Sequence, residues 1–178
     1  MIMAPFDAPA RGAENALIHL SLADHETFKD ALARLASGLA IVSGWVQDEP
    51  HGLLVSSITG LSVDPPRFLF CVRKEASSHG AFLTGDICGV TILSAEDETE
   101  ALSFIEPDRK AERFKSGRWS LKAPAPPLLT GALSSAACLV DARIDAGSHT
   151  ILVVTAQSVS VRDGEPLLSF NRRLRRLG

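Results

Sequence analysis

HGLLVSSITGLSVDPPRFLFCVRKEASSHGAF (residues 51–82) holds two short runs rich in β-branched and aromatic residues, LLVSSIT at 53–59 and RFLFCVR at 67–73. The turn signal VDPP separates them, so the pair reads as two strands. Working outward, LAIVSGWV (39–46) and ICGVTILS (87–94) read as strands of the same kind, with QDEPHG as the turn after the first. Later, Cys138, Val140, Ala142 and Ile144 alternate with Leu139, Asp141, Arg143 and Asp145, which predicts a half-exposed strand. Gly147 marks a turn, HTILVVTAQSVSV (149–161) returns as a long strand, and Asp163-Gly164 turns the chain into PLLSF. Many short strands without regular alternation with helices disfavour a parallel, doubly wound sheet. They favour a closed or nearly closed antiparallel barrel, which removes exposed edges.

Helices are expected at the periphery. Asp24 is placed to cap one, with Phe28, Ala31, Leu32 and Leu35 on its inward face and Gly38 as its stop. A second covers about 76–83. A third follows Ser94, a capping residue ahead of Glu96, Asp97 and Glu98, and turns Ala101, Leu102 and Ile105 inward. RKAERF (109–114) adds a further turn, and the proline-rich stretch at 116–129 reads as a loop. Residues 1–22 are expected to form a flexible arm, free or wrapped on a second subunit, and 23–178 a single domain.

The 178 residues suffice for one sizeable core. A net charge of −3 argues against nucleic acid as a partner. The one basic cluster, Arg172, Arg173, Arg175 and Arg176, suits a solvated end, an oligomer contact or an anion site. Cys71, Cys88 and Cys138 have no metal-ligand spacing and read as buried, reduced thiols. The opening segment lacks the apolar core of a signal peptide, and no run of about 18 apolar residues is present. The expectation is therefore a cytoplasmic protein without a membrane span.

No nucleophile elbow, zinc-protease motif or phosphate loop appears, and the five histidines are scattered singly. An organic cofactor then becomes the source of difficult chemistry. Ser56, Ser57, Thr59 and Ser62 put hydroxyls into an apolar strand. They suit either the rim of a bound heterocycle or ordinary bonding to the ladder. Arg73, Lys74, Ser77, Ser78 and His79 follow a strand and open a helix. That combination suits a phosphate, and equally a solvated polar turn.

Several segments in a fixed order resemble the short-chain flavin reductases, the reductase components of two-component flavin monooxygenases. They are FKDALARLASGLAIV (28–42), GLLVSSITGLSVDPP (52–66), RFKSGRW (113–119), PLLTGAL (127–133), GSHTIL (147–152) and GEPLLSFNRRLRRL (164–177). The resemblance implies a mainly β, FMN-binding split barrel, of antiparallel Greek-key type with peripheral helices. It implies that Leu54, Val55, Ser56, Ser57 and Ile58 lie along the isoalloxazine. Cys71, Val72 and Arg73 would end the neighbouring strand, with Lys74, Ala76, Ser77 and Ser78 near the ribityl phosphate. His149 would stand beside the nicotinamide, orienting it or placing a proton on reduced flavin.

The implied activity is hydride transfer from NADH or NADPH to FMN, with FAD as an alternative. Reduced flavin would pass to a flavin-dependent monooxygenase, and the chain would form a homodimer. Ser169 and Leu174 stand where relatives often carry aromatic residues, and Leu54 replaces a threonine. Those departures motivate a rival reading, a non-catalytic FMN-binding or electron-carrying protein on the same barrel. A third reading is an interaction domain that uses the basic tail.

Overall fold

Short turns fold the chain back on itself repeatedly, and the strands pair antiparallel with their neighbours. The computed structural model describes residues 21–177, so of the expected arm only Ser21 and Leu22 fall within the described residues. In chain order the elements are α1 (His25–Ala33), β1 (Ser37–Gly38), β2 (Ala40–Val46), β3 (Glu49–Val55), β4 (Thr59–Ser62) and β5 (Arg67–Arg73). Next come α2 (His79–Thr84), β6 (Ile87–Ile92), α3 (Glu98–Ile105), β7 (Trp119–Ser120) and β8 (Leu128–Leu129). The series ends with β9 (Ser134–Ala146), β10 (His149–Val161), β11 (Leu167–Phe170) and β12 (Arg173–Arg176). Seven strands form one sheet in the order β3-β2-β6-β9-β10-β5-β4, and β1-β11-β12 form a small second sheet.

The period of two divides the large sheet into an inner and an outer face. Ala40, Val42, Val55, Phe70, Val72, Val90, Cys138, Leu152 and Val154 fill the barrel interior. Helix α2 plugs one end with Ala81 and Phe82, and Phe82 meets Phe70 edge-on at 6.0 Å. A second core lies outside the wall, where Leu39, Ile41 and Leu93 pack against Ala101, Phe104, Phe114, Trp119 and Leu167.

Several expectations are corrected. The run 53–59 is not one strand: β3 ends at Val55 and β4 begins at Thr59, because β3 pairs with β2 while β4 pairs with β5 at the opposite edge of the sheet. Helix α1 keeps its Asp24 cap, which accepts from the Thr27 amide at 2.9 Å, but its apolar face is not buried. Phe28, Leu32 and Leu35 are 55%, 50% and 63% exposed. The helix also stops before Gly38. The Asn171 amide takes the Ala33 carbonyl at 2.7 Å, and Ser37 and Gly38 join the ladder with β11.

In α3 the buried apolar residues are Ala101 and Phe104, while Ile105 is exposed. In β9 the alternation changes phase at a bulge, where Val153 pairs with Ala142 and Val154 with Val140, leaving Asp141 as the extra residue. Ile144 is thereby turned out. Arg143 comes to the side of Leu152 and donates to the Phe82 and Gly85 carbonyls at 2.7 and 2.6 Å, capping α2.

Of the three free thiols, Cys88 and Cys138 are buried opposite one another on β6 and β9, whereas Cys71 is only half-buried. Burial pushes the Cys138 thiol up to about 12 and the Cys88 thiol higher still, so neither is a nucleophile at neutral pH.

Gly89 allows β6 to lie directly against the proline-rich loop, since a Cβ there would stand 2.6 Å from the Pro127 carbonyl oxygen. Gly89→Ala is expected to cost about 1–3 kcal/mol of stability through overpacking, read from urea denaturation. Gly38→Ala, with nothing within 4 Å, is the control and should change stability by less than about 0.5 kcal/mol. Equal midpoints for the two variants would contradict this packing.

Candidate functional site

The break between β3 and β4 leaves residues 56–58 outside both ladders. Their backbone groups are therefore not committed to strand pairing, although both flanking segments are. One side chain spans the gap. The Ser57 hydroxyl accepts the Cys71 amide at 3.3 Å and faces the Cys71 carbonyl at 3.4 Å, tying the break to β5.

Register then places the neighbours. Cys71 lies opposite Ile151, and Arg73 lies opposite His149, on adjacent strands β5 and β10. The even residues Thr150, Leu152 and Val154 face the interior, so His149, Ile151, Cys71 and Arg73 share the outer face. Leu54 lies on that outer side too, against the second core. Val55 and Val72 point into the barrel, and Ile58 packs against the same interior. Those three therefore have only backbone, and no side chain, to offer the outer face.

Two clefts meet at this place. One, of about 390 Å³, lies beneath α1 and is lined by Lys29, Leu32, Leu35, Ser56, Ser57 and Arg172 among others. The other, of about 550 Å³, has an apolar floor of Leu39, Leu54, Leu102, Ile105 and Leu174, with Arg172 and Arg173 at its rim. Ser56, Ser169 and Arg172 line both. Leu32 of α1, Leu35 just beyond its end and Ile105 of α3 thus have a place in the architecture: they wall a groove instead of a core. Their amphipathic spacing was the available signal, but spacing alone does not separate a core-facing stripe from a groove-facing one.

The turn after β5 divides its residues among different tasks. The Lys74 ammonium pairs with Asp145 at 2.6 Å, and the Lys74 amide donates to the Ser148 carbonyl at 3.0 Å. Ser78 is buried and its hydroxyl donates to the Gly52 carbonyl at 2.6 Å, pinning α2 to β3. Ser77 and Ser78 line a third cleft, of about 450 Å³, together with His51, Lys110, Arg113 and Lys115. That cleft adjoins β3 at Gly52 and shares no lining residue with the other two. Arg113 is occupied with the Ser103 and Phe104 carbonyls at 2.8 and 3.2 Å, closing the end of α3.

His79 is bonded through Nε2 to the Thr150 hydroxyl at 2.9 Å, whereas His149 uses Nδ1 toward the Ser148 hydroxyl at 2.9 Å. Among the described residues no group of three or more His, Cys, Asp or Glu is placed to hold a metal ion. The arrangement offers an outer wall with free backbone groups, an apolar groove, cationic side chains and one imidazole. It suits a planar ring carrying an anionic tail.

Comparison with known proteins agrees with that chemistry. The family model described as flavin reductase like domain matches residues 32–178. The chain is 30% identical over 141 residues to the FMN reductase (NADH) SmoA of Agrobacterium fabrum, covering 79% of each chain. It is 35% identical over 156 residues to the actinorhodin polyketide dimerase of Streptomyces coelicolor, covering 85% of each. Among solved structures, BorF, the flavin reductase component of a bacterial two-component tryptophan halogenase, superposes with a TM-score of 0.77 at 28% identity. That match covers 86% of this chain and 98% of BorF.

The Lys74 ion pair is open to a direct check. Its hydrogen bond, with help from the Gly147 amide, holds the Asp145 carboxyl below the ordinary aspartate range. Lys74→Ala is expected to move that carboxyl back up, read from its side-chain carbon shift in an NMR pH titration. An unmoved titration would mean that the pair does not form in solution.

Proposed function

The chain belongs to the flavin reductase like domain family, and from that premise we propose that it is an NADH-dependent flavin reductase whose flavin site is the break at residues 56–58. When bound, the flavin supplies the acceptor for a hydride from reduced nicotinamide. The protein contributes position. Holding two rings at reacting distance supplies several kcal/mol, up to roughly 7–11, with no group on the chain undergoing covalent change.

The uncommitted backbone at 56–58 is the observation that carries this reading, since a flavin edge needs both donors and acceptors. Leu54, Ser56 and Ser57 form its wall with side chains, and Val55 and Ile58 with backbone. Cys71, Val72 and Arg73 continue that wall on β5. Ala76 and the Arg73 cation serve the phosphate tail, while Lys74 and Ser78 hold the turn in place through Asp145 and Gly52 and Ser77 faces the separate cleft. His149, opposite Arg73, stands where the nicotinamide arrives. FMN is the flavin favoured by the SmoA likeness, and NADH the donor.

Reduced flavin produced this way is consumed by a separate flavin-dependent monooxygenase. The likeness to BorF, a reductase component of a two-component system, supports a division of labour of that kind. The chain works as a homodimer. The half-exposed Phe28 of α1 and the exposed Val159 and Val161 support a covered apolar surface. No helix among the described residues is long and apolar enough to cross a membrane. Three free thiols and a dependence on NADH fit the cytoplasm.

The test is loss of nicotinamide absorbance on mixing the purified protein with NADH and free FMN. Turnover is expected only with flavin added, and His149→Ala should lower kcat/KM for NADH by about tenfold, near the upper range for one lost hydrogen bond. Absence of oxidation with NADH or NADPH and either FMN or FAD would overturn the assignment.

A further inference from the structure

We propose that Ser148 is the positioning residue for His149: its hydroxyl donates to His149 Nδ1 and so presents Nε2–H as a donor to the carboxamide oxygen of a reduced nicotinamide. This rests on the reading of His149 as the residue beside the nicotinamide.

The turn that carries Ser148 is held from three directions. Ala146 and His149 close a two-residue hairpin, and Gly147 supplies its left-handed residue at φ +70°. The Gly147 amide donates to the Asp145 carboxylate at 2.9 Å, and that carboxylate takes the Lys74 ammonium at 2.6 Å. The Ser148 carbonyl accepts the Lys74 amide at 3.0 Å. The turn is therefore fixed to the end of β5, and its hydroxyl lies 2.9 Å from Nδ1 of the next residue.

The direction of this bond fixes the tautomer of the ring. A neutral imidazole has one donor nitrogen and one acceptor. Among the described residues His149 Nδ1 is the one hydrogen-bond partner of the Ser148 hydroxyl. A hydroxyl can serve either way, so the direction of this bond and the tautomer are one question; in the proposed direction Nδ1 accepts and the ring proton sits on Nε2. Nε2 then carries a proton to donate to a ligand carbonyl and no lone pair, so the work of the ring is placement and not proton removal. A bond from the neighbouring turn also restrains ring rotation, as partners behind working histidines commonly do.

The protein's own nitrogen signals test this without any flavin. In the resting protein, 15N NMR of the His149 ring should show Nδ1 unprotonated and Nε2 protonated. Ser148→Ala should blur that pattern toward a tautomer mixture, and Ser148→Thr should restore it. In turnover, Ser148→Ala is expected to raise KM for NADH roughly three- to tenfold while kcat changes by less than about twofold, with Thr close to the parent. A wild-type ring protonated on Nδ1 would overturn the proposal. So would a Ser148→Ala protein whose ring signals and KM match the parent while His149→Ala raises KM. If His149→Ala leaves KM for NADH unchanged, the reading of His149 itself fails, whatever Ser148 does.

Discussion

The structure depends on one topological necessity. After β3 the chain must leave one edge of the seven-stranded sheet and reappear at the other, paired with β5. A continuous strand cannot serve both partners, so residues 56–58 fall between ladders. The Ser57 hydroxyl, shared with both backbone groups of Cys71, holds the gap nearly shut. Exposed backbone polarity is ordinarily a liability at a sheet edge. Here it lies on the outer wall beside an apolar groove and the cationic end of β5, where the proposed flavin edge would satisfy it.

The remainder of the architecture serves that location. The barrel interior is filled by inward side chains and plugged by α2, so no ligand enters it. The proposed site therefore lies on the outer face, between the wall and the helices α1 and α3. The β9–β10 hairpin reaches the same end of the barrel and is tied to β5 through Lys74, which brings His149 into register with Arg73. A rigid wall with substituents on adjacent strands is well suited to holding two stacked rings at a fixed distance.

Much of this was legible in the sequence where the signal is local. The Asp24 cap, the runs at 39–46 and 67–73 and the long return at 149–161 follow from residue type and period alone. The break at 56–58 was not legible, because LLVSSIT has the composition of one strand and only partner choice divides it. The bulge at Asp141 was hidden for the same reason, as an extra residue is defined against the opposite strand. Phe28 and Leu32 showed the correct helical spacing, yet spacing does not reveal what the stripe faces, nor that the helix ends before Leu35. In the turn after β5, the hydroxyls and cations at 73–78 read as one cluster. The fold gives Ser78 and the Lys74 side chain structural partners instead.

Amide chemical-shift mapping during an FMN titration tests the central claim most directly. The account places the largest shifts at Ser56, Ser57 and Ile58, continuing through Cys71 and Arg73 on the neighbouring strand. Shifts confined to the separate cleft at Lys110, Arg113 and Lys115, with the break unmoved, would contradict it.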